Sequence, residues 1–134
     1  MKRNHTLVLA AGDLLALLAF VLLGQADHQT LNAANPLLGA LPNVAPLAVA
    51  WLLVAWLLRA YPRGSVAPRL APFLGRTALA WGIAAPIGLT LRMLWLGRGS
   101  VPTAFLLVTL GFGWLFLLAW RLVFWLVAIR KRAV

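Results

Sequence analysis

The sequence predicts an all-α, polytopic membrane protein with four transmembrane helices and both termini on the cytoplasmic side. Of its 134 residues, 63% are hydrophobic and 10% are charged, whereas a soluble domain is about half apolar and about a quarter charged. The apolar residues form long runs, and the basic residues lie mainly at the ends of these runs. Such a chain has too little polar surface to cover a water-facing globule.

We expect a single membrane domain over residues 1–134, with helices at approximately 6–24, 41–59, 77–97 and 102–129. These lengths suit a spanning helix, which needs roughly 20 residues, and the fourth is long enough to tilt. Backbone amides in lipid must bond within their own segment, which favours helices. The segment from Tyr61 to Pro72 is rich in proline and arginine and is expected to be a loop. The first run begins like a signal peptide, but Asp13 in its centre argues against cleavage.

The distribution of basic residues predicts the orientation, because loops on the cytoplasmic side carry an excess of Lys and Arg. With the N-terminus inside, ten of the twelve basic residues lie on the inner side. The inner set is Lys2, Arg3, Arg59, Arg63, Arg69, Arg76, Arg121, Arg130, Lys131 and Arg132, and the outer set is Arg92 and Arg98. This placement suits anionic lipid headgroups on the cytoplasmic side. It argues against nucleic acid as a partner, since the basic residues do not cluster on a polar domain.

Aromatic residues fall near the ends of the predicted helices, where they typically anchor a helix at the membrane interface. Those expected at the inner interface are Trp56, Tyr61, Trp120 and Trp125, and Trp95 is expected at the outer one.

Asp13 is the most informative residue, because an unpaired carboxylate inside a membrane is costly and marks a functional site by default. At 1.5 Å per residue it lies roughly 15 Å from Arg3. Arg121, nine residues before Arg130, has a similar depth on the fourth helix. We therefore expect an Asp13–Arg121 pair, with Arg92 as the alternative partner. The pair would either mark a proton, ion or substrate path or only fix the helix register.

Asp27 and His28 follow the first helix in the predicted outer loop and could form a polar cap there. With two acids, two histidines and no cysteine, the sequence offers too few ligands for a metal site and no nucleophile–base–acid set. We therefore expect no cofactor and no metal, and a protein that is not an enzyme.

The chain resembles the DUF3054 family of prokaryotic membrane proteins. The resemblance rests on short motifs that cover most of the chain: Gly12-Asp13 with Phe20, Gly24 followed by His28, Pro46, Gly88, Leu91-Arg92, Phe105 and Trp120-Arg121. The chain departs from the family pattern in the outer loop, Gly24-Gln25-Ala26-Asp27-His28 in place of GRxxH, and at Pro46-Leu47 in place of Pro-Phe. The resemblance implies four helices and a prokaryotic plasma (inner) membrane, and it points to Asp13, His28, Arg92 and Arg121. It implies no activity.

Three functions remain open from the sequence, and a membrane enzyme is the least favoured of them because catalytic side chains are scarce. The first is a transporter or channel for a small solute, ion or lipid that passes the buried Asp–Arg pair. The alternative is a non-catalytic accessory or assembly subunit of a larger membrane complex. Because four helices of this size enclose little volume, we also expect a homodimer, or a membrane-protein partner.

Overall fold

The computed structural model of the chain describes residues 3–27, 34–63, 68–97, 99 and 103–129. Within these residues the secondary structure is helical, with no strand. The helices are α1 (Arg3–Asp27), α2 (Pro36–Leu57), α3 (Leu70–Leu96) and α4 (Thr103–Phe124), and α4 continues into a π-helical turn (Trp125–Ile129). Each of the four α-helices is long and apolar enough to cross a membrane, over Asn4–Gly24, Gly39–Leu57, Leu70–Trp95 and Thr103–Ala128. The predicted all-α fold with four such helices is confirmed.

The helix α3 begins at Leu70, so part of the segment expected to be a loop is helical. Pro72 lies in the first turn of this helix. Backbone N–H groups in the first turn have no carbonyl partner within the helix, so a proline there removes no helical hydrogen bond. Proline at that position therefore does not prevent the helix from starting before Thr77. Similarly, α2 begins at Pro36, a residue type that favours the first helical position.

Each helix packs against the next one in the chain, and α4 also packs against α1. Neighbouring helices run antiparallel, as the contacts between α1 and α4 show. Between α1 and α4, Trp120 donates a hydrogen bond to the Leu9 carbonyl, while Phe20 packs on Phe116 nearer the opposite end. The bundle therefore has one end where α2 ends and α3 begins, here called the arginine end because Arg59, Arg63, Arg69 and Arg76 lie there. The opposite end contains the end of α1 and the start of α2.

Indole N–H groups join neighbouring helices. Trp81 of α3 donates to the carbonyls of Thr109 and Leu110 on α4, at 3.3 and 3.2 Å. Trp114 of α4 donates to the Ala78 carbonyl on α3, at 2.9 Å. A polar N–H in an apolar environment needs an acceptor, so each tryptophan fills the space between two helices and satisfies its own donor.

Large apolar side chains cover the outside of the bundle. Exposed examples on all four helices are Leu7, Leu15, Val49, Leu53, Leu79, Leu94, Leu107 and Leu115. A water-soluble monomer rarely exposes such extensive apolar surface, whereas acyl chains solvate it without cost. The outer surface is therefore compatible with a multi-pass membrane protein.

Two glycines of the α3–α4 interface provide a matched test of this packing. A Cβ at Gly113 would collide with the Trp81 indole, whereas a Cβ at Gly82 would meet Trp114 at 3.5 Å, an ordinary contact. We expect Gly113→Ala to lower the free energy of unfolding by about 1–3 kcal/mol, because overpacking displaces a buried ring. Gly82→Ala should leave stability unchanged or slightly raised, since alanine favours helix. Thermal unfolding in detergent measures both, and equal effects of the two substitutions would contradict this packing.

Candidate functional site

The turn after α2 directs two polar groups toward the centre of the bundle. Arg59 adopts a left-handed conformation with φ of 57°, and the Ala60 N–H donates to the Ala55 carbonyl at 2.8 Å. This arrangement ends the helix and reverses the chain. The Ala60 carbonyl and the Tyr61 side chain are thereby placed against α1 and α4, where both are buried.

Asp13 of α1 and Arg121 of α4 form a two-point ion pair in the interior of the bundle. Arg121 donates from Nη2 to Oδ2 of Asp13 at 2.6 Å and from Nε to Oδ1 at 3.1 Å. Both side chains have an exposed fraction of 0%. Paired donation of this kind matches the planar guanidinium to the carboxylate and fixes the relative position of the two helices.

The remaining Arg121 nitrogen, Nη1, bonds to the other half of the bundle. It donates to the Ala60 carbonyl at 2.5 Å and to Oγ1 of Thr77 at 3.0 Å. The Thr77 hydroxyl in turn donates to the Phe73 carbonyl of α3 at 2.9 Å. One guanidinium therefore links α1, α3, α4 and the turn after α2.

Three aromatic rings surround the same guanidinium. Its Cζ lies 4.9 Å from the ring centre of Tyr61, 5.2 Å from that of Trp51 and 5.3 Å from that of Phe73. Ring faces attract cations, and the attraction strengthens when both groups are shielded from water. The aromatic cage supplies part of the solvation that the arginine loses on burial.

Asp13 accepts two further hydrogen bonds at Oδ2. The Tyr61 hydroxyl donates to it at 2.6 Å, and the Trp51 indole N–H donates at 3.2 Å. Burial raises the pKa of the Tyr61 phenol far above its ordinary value, and the neighbouring Asp13 charge and the hydrogen bond to it raise that pKa further. The phenol therefore keeps its proton at neutral pH and remains a donor to the carboxylate.

The structure brings together one of the two pairs that the sequence left open. Asp13 contacts Arg121, whereas Nε of Arg92 donates to Oδ1 of Asn43 at 2.6 Å, nearer the opposite end of the bundle. His28 and the side chain of Asp27 lie outside the described residues, so the polar cap expected of them stays a prediction.

Four partners of the pair were not predicted as such from the sequence: Trp51, Ala60, Tyr61 and Thr77. Tyr61 was expected at the membrane interface, but it is a buried donor to Asp13. One available signal was that Tyr61 is the sole tyrosine of the chain, at the turn after the second helix. Trp51, within an apolar run, and the Ala60 carbonyl carry no sequence signal for this role.

The two charged side chains of the pair are fully satisfied by their partners. Both oxygens of Asp13 and all three nitrogens of Arg121 have partners within the described residues. Separating the pair would require a replacement partner for each charge, since an uncompensated buried charge is strongly unfavourable. The pair therefore forms a closed contact in the interior of the bundle.

The chain matches the model of a known protein family. A family model described as "Protein of unknown function (DUF3054)" matches residues 10–124, a range that contains both Asp13 and Arg121. No curated protein and no solved structure matches the chain significantly.

A double-mutant cycle tests the energetic role of the pair. We expect Asp13→Asn to lower the free energy of unfolding by about 3–5 kcal/mol, because it leaves the Arg121 charge buried without compensation. The double variant Asp13→Asn/Arg121→Met should lose clearly less than the sum of the single losses, since neither charge remains. Denaturation in detergent measures each variant.

The matched control combines Asp13→Asn with Arg92→Met. Because Arg92 bonds to Asn43 and not to Asp13, these two effects should be additive within about 0.5 kcal/mol. Additivity for Asp13 with Arg121, or coupling of Asp13 with Arg92 instead, would disprove the pairing.

Proposed function

Because the chain belongs to the DUF3054 family, which is described only as of unknown function, we propose a function from its geometry: a transporter or channel for a small solute, ion or lipid. The observation that carries this proposal is the fully buried Asp13–Arg121 pair within the apolar spans. Charged residues inside membrane segments are expensive and commonly mark a transport path. The short list of titratable side chains makes an enzyme the less favoured proposal.

In this proposal the pair is the closed contact of a transport cycle. It joins α1 to α4, while Thr77 and Ala60 connect it to the other half of the bundle. An ion or polar headgroup that competes for Arg121 or Asp13 would release α4 from α1 and open a route between them. A pair that only fixes the helix register is often replaceable by apolar residues. A role in transport and a role in fixing the register can therefore be separated by experiment.

Flux into proteoliposomes tests the proposal. The probes are protons followed with an entrapped pH dye, potassium, inorganic phosphate and a fluorescent phosphatidylglycerol. We expect at least one probe to move, and we expect Asp13→Asn, confirmed as folded by tryptophan fluorescence, to lower its flux by an order of magnitude or more. Thr90→Val, at an exposed position of α3, is the matched control and should leave flux unchanged.

Normal flux through folded Asp13→Asn would exclude a transport path at this residue. Absence of flux for all four probes would favour the second candidate function instead.

The second candidate is an accessory or assembly subunit, and a groove on the outer face of α4 favours it. The groove has a volume of about 370 Å³ and is lined by Leu107, Val108, Gly111, Phe112 and Leu115. A glycine in such a groove lets a neighbouring helix approach closely, whether from a second copy in a homodimer or from another membrane protein. Purification of a larger complex in mild detergent supports this function, and purification of the chain alone as a monomer opposes it.

We further propose that the arginine end faces the cytoplasm of a prokaryote, which places both termini inside. The chain has no cysteine, so single cysteines report the orientation directly. An impermeant thiol reagent added to intact cells should label Gly99→Cys and should label Arg63→Cys only after the membrane is opened. Both positions are exposed, and the reverse pattern would refute the proposed orientation.

A further inference from the structure

A second site of positive charge lies at the arginine end, separate from the buried pair. A cavity of about 240 Å³ is lined by Arg59, Pro62, Arg63, Pro68, Arg69, Pro72, Phe73 and Arg76. The four arginines are exposed at its rim, and the buried residue Phe73 also lines it. Pockets for drug-sized ligands typically have volumes of about 300–1,000 Å³, so this cavity suits a smaller group.

Among the residues that the structure describes, no acidic side chain pairs with these arginines. The two acids of the sequence are Asp13 and Asp27. Asp13 pairs with Arg121, and Asp27 is the last residue of α1, at the opposite end of the bundle. Four like charges around one cavity repel each other, so the cavity favours a ligand that brings negative charge.

Several contacts hold the rim in place. Nη1 of Arg76 donates to the Arg59 carbonyl at 3.5 Å, and Nη2 of Arg63 donates to the Trp56 carbonyl at 3.0 Å. The Arg63 guanidinium also lies 5.2 Å from the centre of the Trp56 ring. The indole of Trp125 donates to the Pro68 carbonyl at 3.0 Å and ties α4 to the same loop. The first turn of α3 borders the cavity, and its positive dipole end adds to the attraction for an anion.

We infer that this cavity binds a phosphate-bearing anion. Guanidinium groups bind phosphate oxygens through paired hydrogen bonds, and the cavity lies where α2 ends and α3 begins, at the level of lipid headgroups for a chain that spans the membrane. The phosphate could belong to an anionic lipid headgroup or to a free ion. This site is distinct from the proposed transport path, and its binding is measured without any flux.

Native mass spectrometry of the full chain in detergent tests the inference, with phosphatidylglycerol, phosphatidylcholine and inorganic phosphate as probes. We expect phosphatidylglycerol to bind more tightly than phosphatidylcholine, whose phosphate is balanced by choline. Arg69→Gln/Arg76→Gln should weaken phosphatidylglycerol binding by roughly 30-fold, from about 1 kcal/mol for each basic residue. Displacement of the lipid by inorganic phosphate identifies the free ion as a ligand as well, whereas its failure to displace assigns the site to the lipid headgroup.

The control is Arg92→Gln, which removes one positive charge near the opposite end of the bundle, where Arg92 bonds to Asn43, and it should weaken binding much less than Arg69→Gln does. Equal weakening by these two single variants, or phosphatidylglycerol binding unchanged in Arg69→Gln/Arg76→Gln, would overturn the inference. If the loss of Arg76 impairs folding, Arg69→Gln alone serves, since that side chain is exposed. It should weaken binding by about fivefold, and an unchanged affinity would again overturn the site.

Discussion

The structure depends on solvating one arginine inside a bundle of apolar helices. A guanidinium keeps its charge in proteins, so Arg121 must find acceptors and a counter-ion wherever the chain places it. It obtains them from Asp13, Ala60 and Thr77 and is flanked by three rings. Because these groups come from all parts of the bundle, the requirement of one side chain constrains the arrangement of the four helices.

The same rule, that polar groups in an apolar interior need internal partners, governs the tryptophans. Trp81, Trp114 and Trp120 each donate to a carbonyl of a neighbouring helix. Their rings lie where a neighbouring helix has a glycine, as Trp120 does against Gly12 and Trp81 against Gly113. Indole and glycine thus form complementary pairs, one supplying bulk and a donor and the other supplying space.

Phe73 connects the buried pair with the arginine end. Phe73 is one of the residues that line the cavity of four arginines. The centre of its ring lies 5.3 Å from Cζ of Arg121, and its backbone carbonyl accepts a hydrogen bond from the Thr77 hydroxyl. A ligand in the cavity would therefore lie one side chain away from the ion pair. The two sites therefore have Phe73 as a common contact residue.

The sequence by itself determined the fold class, because long apolar runs permit only helices in lipid, and it placed Asp13 and Arg121 at similar depth because helical rise is constant. Depth favoured Arg121 over Arg92 as the partner but did not settle the choice, since depth along a helix leaves rotation and neighbour order open. Only the tertiary structure decided that choice and recruited Trp51, Ala60 and Tyr61. Those contacts depend on the turn at Arg59 and on how the helices pack. The residues of the site lie up to 108 positions apart in the chain, so no local sequence pattern encodes their contacts.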